Sequence, residues 1–400
     1  MKIELYPHQE LAVAKMHNGC ILCGGVGSGK SRTALAYFFT KICDGQINEY
    51  APPKKVKDLY IITTAMKRDT KDWESECSLF LLSTDKEDSI SGIRVFVDSW
   101  NNIKKYKDVQ NAFFIFDEQR VVGYGTWSRT FIHISKNNEW VLLSATPGDT
   151  WMDYIPVFIA NGFYKNKTEF IRKHVVFSRY TKYPKVEKYL RCAELVKHRK
   201  DILISMKFVR TTTPHKETVI VNYDPVDYDI VVNKMWNLYK NKPIKSRSER
   251  AFLARKILNN DTSRLEVVKE LLQKHPRCII FYNFDYELDI LRTLSRETEV
   301  KERNGKKHDP LPTSDKWVYL VQYASGAESW NCITTDTIIF YSLNYSYRQM
   351  LQAAGRIDRA NTQYTDLYYY YLRSRAPLDM AISKALANKK DFNESAFFHE

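Results

Sequence analysis

The tightest constraint on this chain is residues 24–31, Gly24-Gly25-Val26-Gly27-Ser28-Gly29-Lys30-Ser31. The run satisfies G-x-x-x-x-G-K-[ST], a pattern that works as the turn between a buried strand and a helix. Both flanks fit. Cys20-Ile21-Leu22-Cys23 before it is an apolar run of strand length, and Arg32 to Phe39 after it reads as a helix. Glycines let the backbone wrap a phosphate chain without a Cβ in the way. The loop amides and the helix N-terminus then face the anion. In such a loop Lys30 reaches the β- and γ-phosphates of a nucleoside triphosphate, and the Ser31 hydroxyl ligates Mg²⁺. All eight residues are therefore expected nucleotide-binding residues, with Ser31 a metal ligand.

The next strands repeat the theme of an apolar run with a polar end. Leu59 to Thr64 leads into a polar helix start, where Thr63, Thr64 and Lys67 suit phosphate contacts or an ordinary N-cap. Arg94 to Val97 ends in a polar edge that includes Ser99 and Trp100, where a ligand could sit. Ala112 to Phe116 runs straight into Asp117-Glu118-Gln119-Arg120. Downstream of a phosphate loop, Asp117 is placed to hold Mg²⁺ through its water shell, and Glu118 to orient and polarise the attacking water. Trp140 to Leu143 ends in Ser144-Ala145-Thr146-Pro147, either a sensor of the γ-phosphate or a hydroxyl-rich turn. Gln9, shortly before the glycine loop, carries a two-faced amide that can read an adenine edge. Alternating strands and helices, with every candidate at a strand's carboxyl end, follow the crevice rule for open parallel sheets.

Length and charge set the outer bounds. With 400 residues the chain is long enough for two or three domains with real cores. No apolar run approaches the roughly 20 residues of a membrane span. Lys2, Glu4, His8 and Glu10 interrupt any signal-peptide core, so a cytoplasmic protein with no membrane partner is expected. The net charge of +14 points to a polyanionic partner, most simply nucleic acid. Seven cysteines are scattered, and Cys20 and Cys23 of the one C-x-x-C face opposite sides of their strand, so they read as packing residues.

The middle of the chain, 172–216, is dense in Lys and Arg. Lys182, Lys185, Lys188, Arg191, Lys197, Arg199, Lys200, Lys207 and Arg210 are interleaved with Tyr180, Tyr183 and Tyr189, which suits either a nucleic-acid surface or a solvated face. A boundary is expected at 211–217, followed by a strand at Thr218 to Tyr223 and a polar stretch to Arg250. Strands at 277–282, 317–321, 337–341 and 367–372 alternate with helices at 264–274, 286–294 and 378–389. Residues 301–316 read as an exposed loop. Gln352-Ala353-Ala354-Gly355-Arg356-Ile357-Asp358-Arg359 is the second strong signal. Two arginines three apart share one face of a helix, where they can neutralise charge developing on a triphosphate in the transition state.

In this order the motifs resemble those of superfamily 2 helicases and translocases, especially the Swi/Snf-like branch, and look similar to small phage-encoded DEAD/DEAH-type DNA helicases. Gln9 matches the adenine-recognising Gln, 24–31 matches motif I, Thr63 to Lys67 motif Ia and Asp117 to Arg120 motif II. Ser144 to Thr146 matches motif III, Gly326 to Asn331 motif V and Gln352 to Arg359 motif VI. Asp-Glu-Gln-Arg departs from Asp-Glu-Ala-Asp and Asp-Glu-Ala-His, and Ser329 stands where the family usually has Gly.

The resemblance implies an α/β fold of two tandem RecA-like lobes, each a mostly parallel sheet flanked by helices, with the nucleotide in the cleft between them. Lobe one would take 1–212, with 151–212 a helical basic extension, and lobe two 213–400. ATP and Mg²⁺ are the implied cofactors, with Glu328 and Gln352 as further nucleotide contacts. Arg356 and Arg359 are implied catalytic residues beside Lys30, Asp117 and Glu118. Thr63, Thr64, Lys67, Ser99, Trp100, Asn283 and Ser325 are the implied nucleic-acid contacts. The implied activity is that of a monomeric ATP-dependent helicase or translocase on single- or double-stranded DNA rather than RNA, serving phage DNA replication or recombination in the host cytoplasm. A duplex translocase that does not unwind, or an ATP-gated clamp or loader with little turnover, would share these motifs.

Overall fold

A computed structural model describes residues 3–25, 27–49, 51–85, 91–118, 124–148, 150–178, 184–206, 212–326, 330, 332–359 and 362–398, without the side chains of 325, 326, 395 and 396. The chain divides into two compact units, Met1–Val209 and Arg210–Glu400.

The first unit is built on strands β1 (Ile21–Cys23), β2 (Leu59–Thr63), β3 (Val95–Ser99), β4 (Phe113–Asp117) and β5 (Glu139–Ser144). Strands β6 (Val175–Phe177) and β7 (Val186–Tyr189) form a separate antiparallel hairpin, and β8 (Leu203–Ser205) returns to the main sheet. The sheet order is β3-β2-β4-β5-β1-β8, and every pairing in it is parallel. Parallel strands are covered on both faces, which is why they read as continuous apolar runs. The two-residue period then sorts each strand. Phe113 and Ile115 of β4 pack with helices α1 (Pro7–Lys15), α2 (Lys30–Tyr37) and, beyond α3 (Ala65–Asp69), α4 (Asp72–Ser78). Phe114 and Phe116 face the other way, onto α5 (Thr126–Ser135), α6 (Ile155–Ala160), α7 (Lys167–His174) and α8 (Cys192–Ile202). Cys20 is buried and Cys23 half-buried, and both thiols are free.

The second unit repeats the plan. Its sheet holds β9 (Thr213–Ile220), β12 (Arg277–Tyr282), β13 (Glu299–Arg303), β14 (Trp317–Gln322), β15 (Thr337–Phe340) and β16 (Asp366–Arg373), in the order β13-β14-β12-β15-β16-β9. All pairings are again parallel. Between β9 and β12 lies a small antiparallel hairpin, β10 (Trp236–Asn237) with β11 (Lys242–Pro243). Helices α9 (Pro225–Val232), α10 (Arg247–Asn259) and α15 (Pro377–Ala387) cover one face. Helices α11 (Thr262–Lys274) and α12 (Asp285–Arg292) cover the other. Short α13 (Tyr323–Gly326), α14 (Tyr347–Ala354) and α16 (Glu394–Phe397) complete the unit. Tyr369 and Tyr370 fall into opposite cores, as alternation along a strand requires.

Two six-stranded parallel sheets flanked by helices make a tandem RecA-like α/β fold. Three local expectations are corrected. Residues 213–217, expected in the boundary, belong to β9, a polar strand at the sheet edge that among the described residues pairs with β16 alone; Pro214 is tolerated there because an edge strand leaves one row of N–H groups unpaired. Residues 301–303, expected in a loop, belong to β13, where Arg292 pairs with Glu302, one of the polar residues of the run. The motif VI arginines lie beyond a helix rather than on one. Helix α14 ends at Ala354 with Gly355 as its cap, and Arg356 Nε donates to the Gln352 carbonyl at 2.9 Å, satisfying a helix-end acceptor from outside the helix. Among the described residues no helix is long and apolar enough to cross a membrane.

Candidate active site

Residues 24–31 leave the carboxyl end of β1 and enter α2. Gly27 and Gly29 have φ of 82° and 76°, the left-handed region that favours glycine. Space demands glycine too. A Cβ at Gly29 would lie 2.2 Å from Gln9 Nε2, and one at Gly24 2.5 Å from Ser28 Oγ. The loop is tied to its neighbours by Gly24 N donating to Ser144 O at 3.2 Å and Met206 N donating to Cys23 O at 2.7 Å. Lys30 Nζ donates to the carbonyls of Gly24 and Gly25 at 2.8 and 3.0 Å. Burial, and then the charge of Lys67, push the Lys30 ammonium down to about 8. Ser31 is half-buried in the first turn of α2. Val26 lies outside the described residues.

Two strands away in the sheet, β4 delivers Asp117 to the same edge. One carboxylate oxygen, Oδ2, accepts three hydrogen bonds: from Thr63 Oγ1 at 2.9 Å, Lys67 Nζ at 2.8 Å and Trp73 Nε1 at 3.1 Å. The Trp100 indole donates to the Asp117 backbone carbonyl at 2.9 Å. Burial pushes the Asp117 carboxyl up, but the charge and hydrogen bonds of Lys67, with those of Thr63 and Trp73, outweigh it and hold the group below the usual carboxylate range. Lys67 also reaches Glu118 Oε1 at 3.1 Å. Glu118 sits at φ 54°, a strained setting for a non-glycine residue and one met at functional sites. Its second oxygen, Oε2, is buried and has no hydrogen-bond partner among the described residues.

These residues fit a magnesium–triphosphate group. The loop is a glycine cradle that a Cβ would fill, and Ser28 Oγ is buried inside it without a hydrogen-bond partner among the described residues. A hydroxyl at Ser31 and a carboxylate at Asp117 supply hard oxygen donors suited to Mg²⁺.

Several expected residues have internal partners. Gln9 is buried; its Nε2 donates to Gly29 O at 3.3 Å and its Oε1 accepts from Tyr6 N at 2.8 Å, so it braces the loop from α1. Thr63 is fully buried against Asp117, and Thr64 caps α3 by accepting from Lys67 N. Ser99 and Trp100 are buried, and Ser99 Oγ accepts from Arg68 Nη1 at 3.3 Å. In the second unit Asn283 Nδ2 donates to Ser342 Oγ at 2.8 Å and Leu343 O at 3.2 Å. Gln352 is buried on α14. Arg356 is 4% exposed, and its Nη1 donates to Trp330 O at 2.6 Å. Arg359 is half-buried three residues further on. Glu328 lies outside the described residues, as do the side chain of Ser325, Gln119 and Arg120 of motif II, and Tyr180, Lys182, Tyr183, Lys207 and Arg210 of the basic run. Lys185, Lys188, Arg191, Lys197 and Lys200 of that run are exposed.

Three residues at the site went unread in the sequence. Trp73 looked like a helix residue. Tyr6 and His8 stack with centroids 5.8 Å apart, His8 Nε2 lies 3.1 Å from Ser28 O, and the Tyr6 ring is 46% exposed beside the loop. A turn of chain rich in rings just before Gln9 was the available signal.

No family model and no curated protein matches the chain. Among solved structures it is similar to the Sulfolobus solfataricus SWI2/SNF2 ATPase core in complex with dsDNA, at 18% identity and a TM-score of 0.43, over 100% of this chain and 93% of that one. The fold stands on strand order and register, not on that likeness.

Proposed function

We propose that this protein is a DNA-dependent ATP hydrolase that couples turnover to movement along DNA. One observation carries the reading. A glycine phosphate loop and an Asp-Glu pair reach the same edge of one parallel sheet, with the Asp117 carboxylate fixed by three donors. Lys30 and the loop amides would hold the phosphates, and Ser31 and Asp117 would hold Mg²⁺, which when bound would supply neutralisation of phosphate charge. Glu118 orients the attacking water and accepts its proton at Oε2, the buried oxygen without a partner. Lys67 keeps the other Glu118 oxygen in place. Tyr6 offers its exposed ring to the base, and Gln9 sets the loop rather than reading the base through a free amide. In the second unit Arg356 secures the turn after α14, and Arg359 is the arginine for transition-state charge.

DNA as the track is supported by the +14 charge and by the motif resemblance. That resemblance also supports a setting in phage DNA replication or recombination. The test is steady-state ATP hydrolysis alone and with single-stranded DNA, double-stranded DNA or RNA at fixed low salt. Strong stimulation by one DNA form is expected. Flat, low hydrolysis with all three would overturn the motor and favour a clamp. Strand displacement without triplex displacement, or the reverse, then separates unwinding from duplex translocation.

A further inference from the structure

The hairpin β10–β11 lies in the second unit, between β9 and β12. Residues 234–256, which run from it through most of α10, hold eight Lys and Arg against one acid, Glu249. That acid is engaged locally: its Oε1 accepts from Asn237 Nδ2 at 2.8 Å and its Oε2 from Lys245 N at 3.4 Å. Lys234 pairs with Asp229 at 3.6 Å. Lys240, Lys242 and Lys245 are exposed and form no ion pair among the described residues. The tip is held in one shape. Asn237 Oδ1 accepts from the backbone N–H of Tyr239 and of Lys240, both at 3.1 Å, and Trp236 Nε1 donates to Asn241 Oδ1 at 3.2 Å.

A row of rings continues from that tip. Tyr239 is 49% exposed and Phe252 43% exposed. Lys256 Nζ lies 4.0 Å from the Tyr239 ring centroid and 5.9 Å from that of Tyr286. Tyr286 packs edge-on to Phe252 at 5.8 Å and stacks with Phe284 at 5.2 Å. Phe284 follows Asn283 at the carboxyl end of β12. Burial, and then the charge of Asp227, raise the Tyr239 hydroxyl, so the ring stays neutral.

We propose that this row is a platform for an unpaired nucleic-acid strand, with Lys240, Lys242 and Lys245 on its phosphates and Tyr239 and Phe252 stacking on its bases. Exposed basic side chains on a tip of set backbone shape suit a polyanion, and exposed ring faces suit unpaired bases, whose own faces are covered in a duplex. The proposal rests on the nucleic-acid motor reading above and adds where the second unit grips a single strand.

The test is fluorescence anisotropy with a labelled single-stranded oligodeoxynucleotide and with the matching duplex, on the full chain. Tyr239→Ala with Phe252→Ala should weaken single-strand binding about tenfold or more, while Tyr239→Phe alone leaves it unchanged. Gln at Lys240, Lys242 and Lys245 together should flatten the slope of log K against log salt by about 2, three phosphates at roughly 0.7 each. Hydrolysis of ATP without nucleic acid should be unchanged in all variants, which shows them folded. Variants that bind the single strand as the parent does would remove this platform and leave the motor standing. An equal loss on the duplex would overturn the single-strand assignment. A parent protein that binds no nucleic acid would sink both.

Discussion

At the residue scale, the site turns on how one carboxylate is held. Three donors converge on Asp117 Oδ2, and they come from β2, α3 and α4. Removing one costs about 1.5–3 kcal/mol where the acceptor is charged. Trp73→Phe keeps the ring and loses the donor. It should lower kcat about tenfold or more with little change in ATP binding, and should raise the Mg²⁺ concentration needed for half-maximal rate. An unchanged Mg²⁺ dependence would show that Trp73 only packs. Lys30→Ala should abolish hydrolysis; robust turnover in that variant removes the phosphate-loop assignment. On the role proposed for Arg359 in transition-state charge, Arg359→Ala should cut kcat far more than ATP affinity. Equal losses in both would argue against it. The sequence showed Thr63 and Lys67 as polar residues at a strand end, where phosphate was a natural partner. Their carboxylate partner lies 50 or more residues away, and no local pattern names it.

At the element scale, glycine sets the loop and one ion pair sets an edge strand. Gly29→Ala meets both a left-handed φ and the Gln9 amide. It should abolish ATP binding while the helix content seen by circular dichroism stays close to the parent's. In β13 the Arg292 guanidinium, through two hydrogen bonds at 2.8 and 2.9 Å, holds the Glu302 carboxyl below its ordinary value against the opposing effect of burial. The folded state therefore binds fewer protons at Glu302 than the unfolded chain does. The stabilisation is complete above the unfolded value, roughly pH 4.5, and is lost as pH falls through the folded one. Glu302→Gln should lower the melting temperature at pH 7, with the gap to the parent closing below about pH 4.5. A gap independent of pH would assign the effect to packing. Helix α10 shows why an element was missed. Its first turn, Arg247-Ser248-Glu249-Arg250, is polar because it faces solvent and the hairpin, and the apolar positions that bury it begin only at Ala251 and Leu253.

At the scale of the whole molecule, each unit has its own sheet and its own two cores. The second is pinned by Arg264, which is fully buried. It donates to the carbonyls of Leu258, Tyr341 and Leu372 at 2.8, 2.5 and 3.2 Å and to Asp379 Oδ2 at 3.0 Å. Asp379→Ala leaves that guanidinium buried without its counter-charge and should destabilise the second unit by about 3–5 kcal/mol. Hydrogen exchange should show the loss in 264–282 and 337–373 and spare the first unit; equal loss in both would mean the two unfold as one. Strand-length apolar runs, the two-residue alternation of Tyr369 and Tyr370, and the strand–glycine loop–helix at 20–39 were legible in the sequence. Each is a local pattern whose chemistry follows from near neighbours in the chain. The order of strands in each sheet, the donors on Asp117, the burial of Arg356 behind a glycine-capped helix and the linking of Tyr239 to Phe252 through Lys256 and Tyr286 were not. They depend on pairs far apart in the chain, brought together by parallel crossovers, and a short-range pattern holds no record of which distant residue will arrive.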